Sequence, residues 1–419
     1  MRKKMPSIHS GFVGLIFFLF FALSVNNTAF SQTTPEEAVE LWNLRQTEIQ
    51  QFYQEGNLEG ALNSAQEAVS LAETAFGSGS LETISSLLLQ AQIHSEMDQL
   101  EEANQIYQVT LETSVASFGE SDATTLSVLD NYGEFLNSID PEMAEPVFQE
   151  ALQLSSENDP QRASRMKAVG LNLLELGRII EAEEMLKQAL KTFKEISGEK
   201  NTEALSAMAS LAQLYMSQGK LKHAQELFET ALPMMLEALD ETSFLILESK
   251  ENLAEIYRQQ GKYSQAETLF LQSMKAAEAE YGEGDPLVVQ AKSHLAQLYE
   301  DTGKLKQALA FHQQVYEIDS ELLGEGHPNT AGDLNNLASV QRRLGDYQKA
   351  EKLFRQSLKI MIAALGEESP QTVSVMNNLA LLLENQGLYD EAEPLFKKAY
   401  AISGKIQGEK HPTSLALLN

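Results

Sequence analysis

Glycines stand at positions 177, 219, 261, 303, 345 and 387, one every 42 residues through six consecutive units. A chain with so regular an internal period folds as a stack of one repeated unit, each of which buries its apolar face only against its neighbours. A second row of turn residues, Gly198, Asp240, Gly282, Gly324, Gly366 and Gly408, runs 21 residues out of phase with the first. Two turns per unit imply two helices per unit. The stretches between turns carry helical periodicity: Leu295, Ala296, Leu298 and Tyr299 recur as Leu337, Ala338, Val340 and Gln341, and again as Leu379, Ala380, Leu382 and Leu383. This is an i, i+1, i+3, i+4 apolar face on helices of roughly 17 residues, about 25 Å long.

Five positions after the first turn comes an alanine: Ala61, Ala103, Ala182, Ala224, Ala266, Ala308, Ala350 and Ala392, with Ala144 in one shortened unit. A small residue repeated in one role marks a tight helix crossing. Four residues on stands a large side chain (Tyr107, Phe148, Leu186, Phe228, Phe270, Phe354, Phe396), then a small one three further along, such as Ala189, Ala231 or Ser357. Large and small alternate so that adjacent helices interlock.

In this order the residues resemble a tetratricopeptide repeat: Leu211-Ala212, Tyr215, Gly219, Leu221, Ala224, Phe228 and Ala231 follow its pattern. The usual unit of that family has about 34 residues. The longer form here, with Gly324-Glu325-Gly326-His327-Pro328, Asn335-Asn336-Leu337-Ala338 and Asn377-Asn378-Leu379-Ala380, is similar to the repeats of kinesin light chains. An armadillo array has a comparable period of roughly 40–47 residues, but uses three helices and lacks the Gly-x-Tyr/Leu-x-x-Ala spacing. The resemblance implies an all-α, right-handed superhelical solenoid of helix-turn-helix repeats. Counting backward through Asp140, Asp98 and Gly56 gives nine units over residues 36–411. The expected divisions are a leader at 1–31, irregular repeats at 32–160, a regular array at 161–411 and an incomplete repeat at 412–419. The stretch Asn137 to Arg162 is five residues short of the period, which predicts a bend or seam there. Pro233, inside a second helix, is expected to kink it.

Residues 1–31 stand apart from the array. Arg2, Lys3 and Lys4 precede an apolar run from Gly11 to Leu23, followed by Asn26, Asn27 and the small-x-small site Ala29-Phe30-Ser31. This predicts a secretory signal peptide cleaved before Gln32 and export in the bacterial manner, to the periplasm or the medium. The apolar run falls short of the roughly 20 residues that cross a bilayer, so no stable membrane insertion is expected after cleavage. There are no cysteines, which excludes disulfides, thiolate metal sites and a thiol nucleophile. Three basic residues leave with the leader, so 28 Lys and Arg face 60 Asp and Glu for a net charge of −32. That balance argues against nucleic acid and anionic lipid surfaces as partners.

No catalytic constellation, metal site or cofactor motif emerges. Neither Gly77-Ser78-Gly79 nor Gly324-Glu325-Gly326 continues into the Lys-Ser/Thr of a phosphate loop, and the carboxylate pairs do not stand out from an acidic background. His327-Pro328, His411-Pro412, Asp285-Pro286 and Ser369-Pro370 place proline at the first turn of a first helix, with Asp285 and Ser369 suited to the N-cap before it. The candidates for binding are asparagines. Asn131, Asn252, Asn336 and Asn378 share one phase of the first helix, and Asn335 and Asn377 the next, although asparagine is a poor helix former. In tetratricopeptide arrays this phase faces the concave groove, and in kinesin light chains such asparagines resemble a ladder for an extended peptide backbone. An amide both donates and accepts, as that role requires. The other reading is that these amides bond between adjacent first helices.

One turn on, Arg258, Arg342 and Arg343 are expected to line the same face, beside Glu300, Asp301 and Glu384. The function expected is a non-enzymatic scaffold that holds a peptide segment or a partner protein. The alternative is a homo-oligomeric assembly component, self-associating through the repeat that stops at Asn419.

Overall fold

A computed structural model describes residues 33–407 of the chain. The leader, Gly408, His411 and the incomplete repeat at 412–419 lie outside the described residues. Within them the regular structure is entirely helical and forms nine hairpins. They are α1 (Pro35–Gln54) with α2 (Leu58–Phe76), α3 (Leu81–Glu96) with α4 (Leu100–Phe118), α5 (Ala123–Ile139) with α6 (Pro141–Leu154), and α7 (Arg162–Glu175) with α8 (Ile179–Ser197). Then come α9 (Thr202–Ser217) with α10 (Leu221–Ala238), α11 (Phe244–Gln259) with α12 (Tyr263–Tyr281), and α13 (Pro286–Asp301) with α14 (Leu305–Leu322). The last are α15 (Pro328–Arg343) with α16 (Tyr347–Leu365) and α17 (Pro370–Asn385) with α18 (Tyr389–Gln407). The nine units and their turns are thus where the spacing put them. Odd-numbered helices are the first of each pair.

The two glycine rows have one cause. Gly303, between the helices of a pair, has φ +73°, and Gly324, between pairs, has φ +90°. A side chain strains the left-handed backbone, so the turn selects glycine. Asp98 is the one described non-glycine residue in that region, at φ +59°. The two other aspartates in these rows do not imitate glycine. Asp140 is extended and caps α6, its carboxylate accepting from the Glu142 N–H at 2.9 Å. Leu239 ends α10 in extended conformation, and the Ser243 N–H bonds to the Asp240 carbonyl at 2.8 Å.

The crossing alanines are as buried as the pattern requires: all nine are between 0 and 2 % exposed. Phe228, Phe270 and Phe354 are fully buried beside them. In the unit of Ala308 the large position is His312, 5 % exposed. Helix α10 is continuous through Pro233, which lies on the solvent side. Asp285 caps α13 through the Leu287 N–H at 2.9 Å. Ser369 makes no such cap, contrary to expectation; its hydroxyl is taken by the Gln371 side chain at 2.6 Å. His327 instead provides an unforeseen cap for α15, its Nδ1 accepting from the Asn329 N–H at 3.1 Å.

The chain divides into two compact units, one up to Thr192 and one from Phe193. That division falls within α8, later in the chain than the short stretch 137–162, whose deletion is absorbed by 14-residue helices α6 and α7. Leaving aside α8, second helices in both units pack on their own first helix and on the first helix of the following hairpin, as α2 does on α1 and α3 and α14 on α13 and α15. In the second unit further contacts join first helices to one another, α9 to α11, α11 to α13 and α15 to α17. The first-helix side is therefore the tighter, inner side of that stack. Among the described residues no helix is long and apolar enough to cross a membrane.

Candidate partner-binding face

All eight candidate binding residues lie on first helices of the second unit: Asn252 and Arg258 on α11, Asn335, Asn336, Arg342 and Arg343 on α15, and Asn377 and Asn378 on α17. Asn336 and Arg343 are exposed and the rest half-buried. Because the period is 42, a residue faces, on the next first helix, the position 43 further along. Four residue pairs are bonded at that spacing. Asn378 Nδ2 donates to Asn335 Oδ1 at 2.9 Å. His294 Nδ1 lies 2.6 Å from Glu251 Oε2. Arg343 Nη1 donates to Glu300 Oε2 at 2.8 Å and its Nη2 to the Glu300 carbonyl at 2.9 Å. Arg258 is bonded to Asp301, and also holds Glu255 at 2.7 Å.

The first-helix face is therefore partly committed to its own cohesion. In the asparagine row, facing positions alternate between joined and unjoined: Ala209 faces Asn252, Glu251 bonds His294, Ser293 faces Asn336, and Asn335 bonds Asn378. Ser293 spends its one hydroxyl donor on the Val289 carbonyl of its own helix at 2.9 Å and makes no bond to Asn336 among the described residues. Asn131, in the first unit, bonds within its own helix, donating to the Ser127 carbonyl at 2.8 Å. A comparable amide bridge joins α5 and α7, Asn172 Nδ2 donating to Asn137 Oδ1 at 2.8 Å. Sequence reasoning passed over that pair because the short unit shifts it out of phase.

Among the described residues, the side chains of Asn252 and Asn377 make no hydrogen bond and Arg342 no ion pair. Asn336 accepts one weak bond from Asn335 at 3.5 Å and keeps its own N–H donors. The structure thus brings Asn335, Asn336, Asn377 and Asn378 together on α15 and α17, and leaves Asn252 two hairpins away on α11. Charge on the face is balanced locally. Burial opposes ionisation of Glu300, but the His312 ring at 2.9 Å and the Arg343 guanidinium outweigh it and hold the carboxyl below its usual range. Glu255 behaves alike: burial raises it, and bonds from Arg258 and Gln259 bring it lower. Arg258 and Arg343 are accordingly engaged, and Arg342 alone of the three candidate arginines makes no ion pair among the described residues.

Such a face offers amide and guanidinium groups able to hydrogen-bond a polar backbone or side chain. Among the described residues no group of three or more His, Cys, Asp or Glu is placed to hold a metal. A search of curated proteins gave no match. Among solved structures, the chain is similar to the apo form of the quorum sensor NprR from B. thuringiensis, with 13 % identity over 83 % of this chain and 98 % of that one, TM-score 0.60. It is also similar to a signal-transduction ATPase with a tetratricopeptide repeat sensor from Pyrococcus horikoshii, with 14 % identity over 84 % of this chain and 53 % of that one, TM-score 0.60. A putative kinesin light chain with nearly identical repeats from Podospora anserina shares 26 % identity over 48 % of this chain and 96 % of its own, TM-score 0.44. The family profile described as tetratricopeptide repeat matches residues 161–237, 245–321, 288–363 and 330–405, together more than half of the sequence. The chain belongs to the tetratricopeptide repeat family.

Proposed function

We propose that this protein is a non-enzymatic scaffold that binds a peptide segment or partner protein on the first-helix face of its second unit. The observation that carries this reading is the set of polar groups left unused there: the amides of Asn252 and Asn377, the N–H donors of Asn336 and the guanidinium of Arg342. Amides on successive first helices, as Asn336 and Asn377 are, can satisfy both the N–H and the C=O of an extended backbone. An uncommitted arginine adds a site for a carboxylate. Asn335, Asn378, Arg258 and Arg343 belong to the framework of the face rather than to its free contacts. Export through the leader is part of the same proposal, and places the partner outside the cytoplasm.

The test separates free from committed groups. Substituting Asn252, Asn336 and Asn377 together by Ala removes contacts of about 0.5–1.5 kcal/mol each and is expected to weaken partner capture roughly tenfold or more, with unchanged helicity and melting. Arg342→Ala is expected to weaken an acidic partner in a salt-dependent way. Capture that survives both changes refutes this face as the binding site.

A further inference from the structure

Where α14 meets α15, two carboxyl groups stand in place of the uncharged pairs found at the neighbouring junctions. Position 319 of α14 and position 333 of α15 are both aspartate. One period earlier the same two positions are Ala277 and Ala291, two periods earlier Met235 and Ser249, and one period later Met361 and Val375. All six of these residues are buried. Asp333 is only 8 % exposed, and its Oδ2 is buried with no hydrogen-bond donor among the described residues. The position after it is lysine in the two preceding units, where Lys250 and Lys292 are buried and reach Glu241 and Glu283, each at 2.9 Å. Here that position is Leu334, so the acid has lost the cation its neighbours carry.

The surroundings leave one means of satisfying Asp333. From α14 the group whose carboxyl interacts with Asp333 is Asp319, half-buried, and its backbone carbonyl takes the Thr330 hydroxyl at 3.4 Å. His312, two turns earlier on α14, is taken by Glu300 of α13. Lys292 of α13 is held by Glu278 and Glu283. The α16 and α17 residues clustered with Ala331 are Met361 and Val375, with Leu358 and Ile360 packed against them, none of them titratable. Arg342 and Arg343 lie at the far end of α15. Two ionised carboxylates offer only acceptors to each other, whereas one proton between them supplies the missing donor.

We propose that Asp319 and Asp333 share a single proton across the α14–α15 junction, and that losing it in mildly alkaline conditions loosens this junction. The junction is then a pH-sensitive element in the framework that carries Asn335, Asn336 and Arg342. Burial first, and then repulsion from Asp319, push the Asp333 carboxyl from its ordinary 3.8 up to about 8. A folded-state value raised above the unfolded one makes the contribution to stability complete below the unfolded value. It declines as pH rises, and is lost once pH passes the folded value.

The experiment compares the full chain with Asp333→Asn and with Asp333→Val, the residue this position holds one unit later, by denaturant unfolding from about pH 5 to about pH 9. The wild type is expected to lose stability relative to both variants as pH rises, with the ratio of unfolding constants changing up to about tenfold per pH unit below about pH 8, the effect of one proton. Parallel pH profiles for wild type and either variant overturn the proposal. Should neither variant fold, infrared spectroscopy of the wild type at neutral pH decides: a protonated buried-carboxyl band supports the shared proton and its absence overturns it.

Discussion

Two glycines inside first helices make opposite predictions when each is replaced by alanine. Gly133 lies in α5 and faces the ring of Phe148 on α6; a Cβ there would sit 2.6 Å from Cε1, 2.7 Å from Cδ1 and 3.2 Å from Cζ. Phe148 is 6 % exposed, so its ring has little room to retreat. Gly332, in α15, has nothing within 4 Å of where a Cβ would be placed. Alanine is worth about 0.8–1.0 kcal/mol over glycine in a helix interior at either site. At Gly332 that gain stands alone. At Gly133 it is set against an overpacking cost of about 1–3 kcal/mol, so Gly133→Ala comes out at or below neutral, to about 2 kcal/mol of net destabilisation. Because the propensity gain is common to both, the difference between the two variants measures the packing cost itself. The two sites lie in different compact units, so a single melting temperature is a poor readout. Hydrogen exchange resolved to α5–α6 and to α15–α16, combined with denaturant unfolding, reports each locally. A Gly133→Ala protein stabilised as much as Gly332→Ala refutes the close α5–α6 approach.

Ala350 is 0 % exposed within a cluster of Ala338, Phe354, Leu379, Leu382, Leu383 and Ala392, so Ala350→Leu is expected to cost about 1–3 kcal/mol. Lys306→Leu, on the solvent side of α14, is expected to leave stability within about 0.5 kcal/mol; equal shifts in denaturation midpoint for the two would contradict the repeat register. For the leader, N-terminal sequencing of exported protein is expected to begin at Gln32, and a membrane-bound product retaining Phe17 to Phe21 would count against cleavage.

Most of the fold was legible because its constraints are periodic. Glycine recurs where the turn has positive φ, and alanine where two helices cross at 0 to 2 % exposure. Each requirement appears nine times or nearly so, and repetition separates it from accident. What escaped was local chemistry that breaks the period. Asp140 and Asp240 were placed in the turn rows by position, yet they solve the turn in other ways, one by capping α6 and the other through a carbonyl bond to Ser243. The His327 cap went unread because a ring nitrogen rarely plays the part of Asp or Ser, while Ser369, a residue type well suited to capping, spends its hydroxyl on Gln371.

The candidate face was legible as a location but not as a division of labour. An asparagine at a given phase serves cohesion or remains free according to what stands 43 residues away: Asn378 meets the Asn335 amide, whereas Asn336 meets Ser293, already bonded to its own helix. The same holds for the arginines. Arg343 meets Glu300 and Arg258 meets Asp301, while Arg342 meets Asn385, with which it makes no bond. Helical phase identifies which side chains share a face, because phase depends on the residue's own helix. Whether each is spent depends on the neighbouring repeat, and in this array the neighbours differ at these positions while agreeing at the turns and crossings. A repeat protein can therefore keep one backbone period and still vary its free polar groups unit by unit, which gives a partner a particular register on an otherwise uniform stack.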